Sequence, residues 1–214
     1  MRQIEPVRQY GVHKIFGPTI QGEGGMTGSV SHFLRLSGCN MWDGRPETRA
    51  DSQCPFCDTD FFSHTMLDAG QIRDSLVALG RVDWVTISGG EPAMQVDQNL
   101  VDCIQSEGFK VAIETNGTRP LNAQVDYVTM SPKLSEPEIV VRRCDSLKVL
   151  WPHPNPAITP EAFVSIDAET RYLQPIETGN SGRDRDNILS TIAKLYTLRG
   201  WRISLQTHKM IGVE

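Results

Sequence analysis

Residues 82–92 read VDWVTISGGEP, and this stretch decides the fold class. Its first seven residues are rich in β-branched and aromatic side chains, which favour a strand, and the glycine pair with Pro92 ends that strand. A helix is predicted before it, because Asp68 can cap a segment whose apolar residues recur every three or four positions as far as Gly80. A helix followed by a strand is the beginning of an α/β pattern.

The same order repeats along the chain. A second helix carrying Leu100, Val101 and Ile104 stops at Gly108, and a strand is predicted over residues 109–115. Strands joined by helices form right-handed parallel crossovers, so we expect a parallel sheet covered by helices. Further strands are predicted over residues 31–37, 126–130, 146–151, 171–175 and 201–206, and a last helix, capped near Asp184 or Asp186, ends at Gly200.

Polar and reactive residues follow the predicted strands at their carboxyl ends, which is where parallel sheets bind ligands. Arg35 lies between Leu34 and Leu36 and points to the opposite face of its strand, so it faces either solvent or a pocket. These strand ends predict a single site. The residues concerned are Cys39, residues 89–91, Glu114, Ser131 with Lys133, Gln174, and Gln206 with His208.

The composition fits one soluble domain over residues 1–214. With 39% hydrophobic residues the chain can bury one core, and its net charge of -5 argues against a surface built for nucleic-acid phosphates. It has no apolar run long enough to cross a membrane, and its first residues do not form a signal peptide, so we expect a cytoplasmic protein. Residues 1–14 lack a pattern and are predicted to be a loose lead-in.

Three of the five cysteines, Cys39, Cys54 and Cys57, are spaced as Cys-x14-Cys-x2-Cys. Clustered thiolates favour a metal over a disulfide framework, but the spacing alone leaves zinc, an iron–sulfur cluster or no metal open. Residues 40–53 form a polar insertion with at most a short helix. The other two cysteines, Cys103 and Cys144, lie in apolar segments and are predicted to be buried.

A glycine-rich stretch over residues 18–25 reads PTIQGEGG. Its glycines permit a backbone that approaches a ligand and presents Gln21 and Glu23 to it. The alternative is an ordinary glycine turn.

Together these residues resemble the radical S-adenosylmethionine enzymes, and within them a subgroup that contracts the ring of a carboxylated tetrahydropterin with loss of ammonia. The closer resemblance spans nearly the whole chain. It rests on seven ordered motifs: QGEG at 21–24, CDT at 57–59, GGEP at 89–92, IETNG at 113–117, SPK at 131–133, QP at 174–175 and QTHK at 206–209.

The resemblance implies a catalytic 4Fe–4S cluster on Cys39, Cys54 and Cys57, with the fourth iron left for S-adenosylmethionine. Lys133 could instead be a solvated surface lysine. The implied residues for S-adenosylmethionine are Phe56, Cys57, Asp58, Gly89, Gly90, Glu91, Ser131, Pro132, Lys133, Gln174, Pro175, Ile176 and Glu177.

The resemblance also implies a pterin site and a Mg²⁺ ion on the hydroxyl of Thr59. Ser88 stands where the subgroup often has threonine, and Glu214 stands where it commonly has proline or alanine. The implied pterin residues are Ile20, Gln21, Gly22, Glu23, Arg35, Ser88, Glu114, His208 and Glu214.

The implied fold is α/β: a partial, open parallel barrel of about six strands with few helices, modified at the cluster loop over residues 40–53. The implied partners are an electron donor such as flavodoxin or ferredoxin and a second copy of the chain in a homodimer, with no nucleic acid and no membrane. Two alternatives stay open. One is an activase that makes a glycyl radical with the same cluster, and the other is a non-catalytic binding module held together by zinc.

Overall fold

The computed structural model describes residues 7–214, and within them none of the helices has the length and apolar content to span a membrane. The strands are β1 (Gln9–Ile20), β2 (Val30–Leu36), β3 (Thr65–Asp68), β4 (Trp84–Gly89), β5 (Lys110–Thr115), β6 (Tyr127–Met130), β7 (Arg143–Trp151), β8 (Asp167–Pro175) and β9 (Trp201–Ile203). The helices are α1 (Ala69–Ala78), α2 (Gln98–Gln105), α3 (Ser181–Leu195) and α4 (Thr207–Ile211).

All nine strands of the described residues join one sheet in the order β3-β1-β2-β4-β5-β6-β7-β8-β9. From β2 to β9 every neighbouring pair is parallel, whereas β1 is antiparallel to both β2 and β3. Because β3 and β9 remain edges, the sheet is an open barrel. The predicted α/β class with a partial, open barrel is confirmed, with seven parallel strands in place of about six.

The prediction for residues 9–14 was wrong, because β1 begins at Gln9. This strand is paired on both sides, and its Tyr10 and Val12 are buried in the core. Irregular pairing between Val12 and Lys14, and again between Phe16 and Thr19, breaks the alternation of polar and apolar residues. Residues 1–6 of the predicted lead-in lie outside the described part of the chain.

One face of the sheet packs against helices and forms the apolar core. Val85 and Ile87 of β4 pack there with residues of α1 and α2, and the caps of these helices are Asp68 and Asp97. A second apolar cluster lies around β7 and β8. The predicted cap of the last helix was wrong, since α3 is capped by Asn180, whose side chain accepts a hydrogen bond from the amide of Arg183.

The other, concave face is polar. Hydroxyl groups link neighbouring strands across it, from Ser31 to Thr86 at 2.9 Å and from Ser146 to Tyr127 at 2.8 Å. The turn after β1 fills this end of the barrel, because a side chain on Gly25 would overlap the Tyr127 hydroxyl. The hydrogen-bonded layer thus closes one end, and the concave face opens at the carboxyl ends of the parallel strands.

Candidate active site

A cavity of about 330 Å³ opens at the carboxyl ends of the parallel strands. This volume is at the lower end of the roughly 300–1,000 Å³ typical of small-molecule sites. All predicted site residues line it apart from Pro132, which is buried between Ser131 and Lys133. The strand ends therefore meet at one site as the sequence predicted, while the role of each residue stays a prediction.

The three clustered cysteines all line this cavity as free thiols. Cys39 follows β2, and Cys57 donates its backbone amide to the carbonyl of Cys54 at 3.0 Å. Burial raises the pKa of each thiol, that of Cys54 to about 11. Nearby negative charge raises the pKa further, from other cysteines at Cys39 and Cys54 and from Asp58 at Cys57. Three thiolates in this position need a positively charged partner, which a bound metal centre provides.

The chemistry of these three donors fits an iron–sulfur cluster. Within residues 7–214 no three His, Cys, Asp or Glu side chains lie close enough together to bind one ion. The donors are cysteine sulfurs, which iron–sulfur clusters require.

The insertion over residues 40–53 is a loop that contains a short 3₁₀ helix, Pro46–Asp51. Trp42 anchors the loop: it is 6% exposed, packs edge-to-face on Phe61 at 5.4 Å and lies 4.7 Å under the guanidinium of Arg49. Its indole nitrogen donates to the Thr48 hydroxyl at 3.0 Å. The insertion thus has a small core of its own beside the cysteines.

The two glycines after β4 press the strand end against the backbone before Cys39. A side chain on Gly89 would overlap the carbonyl of Leu36, and one on Gly90 would overlap the carbonyl of Gly38. Gly90 donates its amide to Leu36 at 3.0 Å. Because the backbones touch, β4 directly positions the first cysteine.

Glu91 is 1% exposed and its carboxylate is already engaged. It accepts hydrogen bonds from the hydroxyl of Thr115 and from the amide of Asn116, both at 2.7 Å, and from the amide of Ala93 at 2.9 Å. Burial raises the pKa of Glu91, although these hydrogen bonds lower it. Its side chain therefore joins the ends of β4 and β5 beneath the cavity.

A buried ion cluster lies on the cavity floor. The ammonium group of Lys148 contacts Glu23 and lies 3.4 Å from Glu114, which also accepts a hydrogen bond from Gln21 at 2.9 Å. Burial and the charge of Glu23 raise the pKa of Glu114. Burial also disfavours ionised Glu23, but Lys148 outweighs it and lowers the pKa of Glu23. Burial alone would lower the pKa of Lys148, but the two carboxylates raise it.

Gln206 connects this ion cluster to the cysteine loop. Its side-chain amide donates to Glu23 at 2.7 Å and to Asp58 at 3.1 Å. Lys209 contacts Glu177 and lies 2.6 Å from Asp58. Although burial acts the other way, Lys209 lowers the pKa of Asp58 to about 2. Gln206 therefore links Glu23, predicted for the pterin, to Asp58, predicted for S-adenosylmethionine.

Arg35 points into the cavity and not into solvent, which decides between the two orientations that the sequence left open. Its guanidinium lies 5.3 Å from the ring centre of Phe16, and its buried Nε has no hydrogen-bond partner among the described residues. The buried Nδ1 of His208 likewise lacks one there, and a side chain on Gly22 would overlap that ring. These two groups are free to bind a ligand.

Lys133 is not a solvated surface lysine. Its ammonium donates to the carbonyl of Ser131 at 3.0 Å and to the hydroxyl of the same residue at 2.6 Å. Burial lowers the pKa of Lys133. Lys133 lines the cavity, and its charge lowers the pKa of Cys54 and Cys57 against their burial.

Thr59 and Glu214 lie at the cavity wall. The Thr59 hydroxyl is 3.5 Å from Asp58. The side chain of Glu214 pairs with Lys14, and its backbone oxygen accepts a hydrogen bond from Thr19 at 2.6 Å. These contacts hold Glu214 against β1, beside the proposed pterin residues.

Sequence reasoning missed Lys148 altogether and gave no roles to Gln206 or Lys209. The signal for Lys148 was a single lysine between Leu147 and Val149 in a predicted strand, because a buried charge requires partners. Gln206 was noticed at a strand end and in a motif, and Lys209 only in that motif.

No family model matches the chain. The chain is 38% identical over 215 residues to the 7-carboxy-7-deazaguanine synthase of Caulobacter vibrioides, which covers 95% of this chain and 99% of the relative. The enzyme of the same name from Bordetella pertussis is 38% identical over 216 residues with the same coverage. Among solved structures, the crystal structure of QueE from Escherichia coli matches with a TM-score of 0.66 and 26% identity, over 92% of this chain and 94% of that one.

Proposed function

This chain belongs to the family of 7-carboxy-7-deazaguanine synthases, and we propose that it converts 6-carboxy-5,6,7,8-tetrahydropterin to 7-carboxy-7-deazaguanine with loss of ammonia. It is an enzyme of the radical S-adenosylmethionine type in the queuosine pathway. The two other functions considered from the sequence, a glycyl-radical activase and a zinc-stabilised binding module, are set aside because the relatives match along nearly the whole chain.

The proposed cofactors are a 4Fe–4S cluster and S-adenosylmethionine. Cys39, Cys54 and Cys57 would hold the cluster, and the loops that carry Lys133 and Gln174 would hold S-adenosylmethionine beside it. When bound, the cluster would supply the electron for the reductive cleavage of S-adenosylmethionine. The residues of the chain hold the two ligands side by side and exclude water.

One observation carries the substrate proposal: an acidic pair and an unpartnered arginine share one cavity with the three cysteines. The amino-pyrimidinone edge of the pterin presents N–H donors, which the carboxylates of Glu23 and Glu114 can accept. Arg35 can pair with the 6-carboxylate in a bidentate manner. The cavity thus offers acceptors for one end of the substrate and a cation for the other.

We further propose Mg²⁺ at Thr59. A hydroxyl is a hard oxygen ligand, and Mg²⁺ keeps several water molecules when it binds through few protein groups. Since Thr59 would be one protein ligand, substrate oxygens and water would complete the coordination. We therefore expect Mg²⁺ to bind tightly only together with the substrate.

A flavodoxin or ferredoxin as electron donor, a homodimer, and a cytoplasmic location remain predictions from the sequence. The donor is tested by reduction of the cluster with purified flavodoxin or ferredoxin, the homodimer by the mass of the protein in solution, and the location by fractionation of cells.

The proposed function is tested by anaerobic incubation with the pterin, S-adenosylmethionine, dithionite and Mg²⁺, followed by mass analysis of the products. We expect 7-carboxy-7-deazaguanine, with less product when Mg²⁺ is omitted. Cleavage of S-adenosylmethionine without conversion of the pterin would overturn the assignment of the pterin as the substrate. A colourless protein that contains zinc and no iron would overturn the cofactor as well.

A further inference from the structure

Lys148 is a buried cation on the cavity floor. It lies within β7 and is 5% exposed, and its ammonium group contacts the carboxylates of Glu23 and Glu114. Taking a lysine out of water costs free energy that close anions must offset. The apolar neighbours of Lys148 in the strand, Leu147 and Val149, belong to the core on the other face. The lysine is therefore directed at the cavity.

The contacts around Lys148 fix both carboxylates in the same way. Glutamine side chains occupy the Oε1 atoms: Gln21 donates to Glu114 at 2.9 Å, and Gln206 donates to Glu23 at 2.7 Å. Lys148 contacts the Oε2 atom of each carboxylate. Since every carboxylate oxygen has more than one lone pair, both groups can still accept hydrogen bonds from a ligand.

We infer that Lys148 is a positioning residue for the pterin, which holds Glu23 and Glu114 side by side and ionised so that both accept hydrogen bonds from the amino-pyrimidinone edge. This role rests on the function proposed above. Two carboxylates this close repel each other, and a protonated one would present a donor where the substrate needs an acceptor. Lys148 prevents this by supplying a positive charge between them.

Among the described residues, Lys148 is the cation in direct contact with either carboxylate. Burial and Glu23 raise the pKa of Glu114, and Lys148 opposes both. The other charged groups that act on this cluster lie farther out: Asp58, Lys133 and His208. Without Lys148 the pKa of both carboxyls rises, so both are ionised only at higher pH.

The test uses the variants Lys148→Met and Lys148→Arg, with Lys194→Met as a matched control. Lys194 also forms an ion pair, with Glu161 at 2.5 Å, but it lies on α3 outside the cavity. The pH dependence of kcat/KM for 6-carboxytetrahydropterin is measured for each variant under anaerobic conditions, together with KM for S-adenosylmethionine. The substrate is the same in all cases, so a difference between variants reports the protein's own groups.

For Lys148→Met we expect the acid limb of kcat/KM to move to higher pH. Below the pKa, each unit of increase lowers the ionised fraction about tenfold at a fixed pH, so KM for the pterin rises about tenfold or more. KM for S-adenosylmethionine should change less than twofold. Lys148→Arg keeps the charge and should restore the wild-type acid limb, and Lys194→Met should match wild type.

An acid limb and a pterin KM within twofold of wild type in Lys148→Met would overturn the inference. If that variant does not fold, Lys148→Arg still decides, because a shifted acid limb despite the retained charge would also overturn it. Failure of the proposed function looks different: the wild-type protein itself would then leave the pterin unconverted.

Discussion

Replacing Gly90 by alanine should separate β4 from the first cysteine. The added methyl group would overlap the carbonyl of Gly38 and lie 3.0 Å from the Cβ of Cys39, so the two backbones must move apart. Overpacking of this kind costs about 1–3 kcal/mol. Two backbone hydrogen bonds also cross this contact, Gly90 to Leu36 at 3.0 Å and Glu91 to Gly38 at 2.9 Å. Each contributes about 0.5–1.5 kcal/mol.

Together these effects predict that Gly90→Ala lowers the free energy of unfolding by about 2–6 kcal/mol. Because Cys39 moves with its loop, iron content after anaerobic reconstitution should fall as well. Urea denaturation and iron analysis measure the two effects. Gly182→Ala is the matched control: it lies in α3, and the nearest atom to the added carbon is 3.4 Å away. An unchanged stability and a full iron content in Gly90→Ala would refute the close packing of these backbones.

Two further variants test the packing of the insertion and the ion pair between Lys209 and Asp58. Trp42→Ala should lower the free energy of unfolding by about 3–5 kcal/mol. If only the insertion unfolds, trypsin should instead cleave it at Arg49. A variant as stable as wild type and as resistant to trypsin would contradict the small core around this tryptophan. Lys209→Met should remove the stabilisation of ionised Asp58, whose pKa is lowered to about 2. A lowered carboxyl pKa contributes stability that is fully present above about pH 4 and is lost as the pH falls through 2. Because this pair is partly exposed, the difference from wild type should stay below about 1 kcal/mol at pH 7. In urea denaturation it should fall to a small fraction of that value at pH 2, and a difference at pH 2 as large as at pH 7 would contradict the prediction.

The parallel part of the fold could be predicted because its strands are regular. In β4 the β-branched run ends at a glycine pair, and the helices on either side have clear caps and stops. The strand β1 could not be predicted, because its irregular pairing at Val12 and Phe16 interrupts the alternation of side chains. The strand β3 has four residues and depends on β1 for its pairing.

The location of the site could be predicted from strand ends, but its charge balance could not. Glu23 and Glu114 were found because they belong to motifs, whereas Lys148 lies in the middle of a strand and belongs to no motif. Its partners come from β5 and from the turn after β1, which meet only in the folded chain. Contacts between distant segments are what a single sequence does not reveal.

The direct test of the metal centre is the iron content of the wild-type protein and of the single variants Cys39→Ala, Cys54→Ala and Cys57→Ala after anaerobic reconstitution. Cys103→Ala is the control, because this thiol lies outside the cavity and donates to the carbonyl of Ala69 at 3.4 Å. We expect about four iron atoms per chain in the wild type and in the control, and a large loss in each of the other three. Zinc in place of iron, or a full iron content in any of those three variants, would contradict the assignment of the cluster to these cysteines.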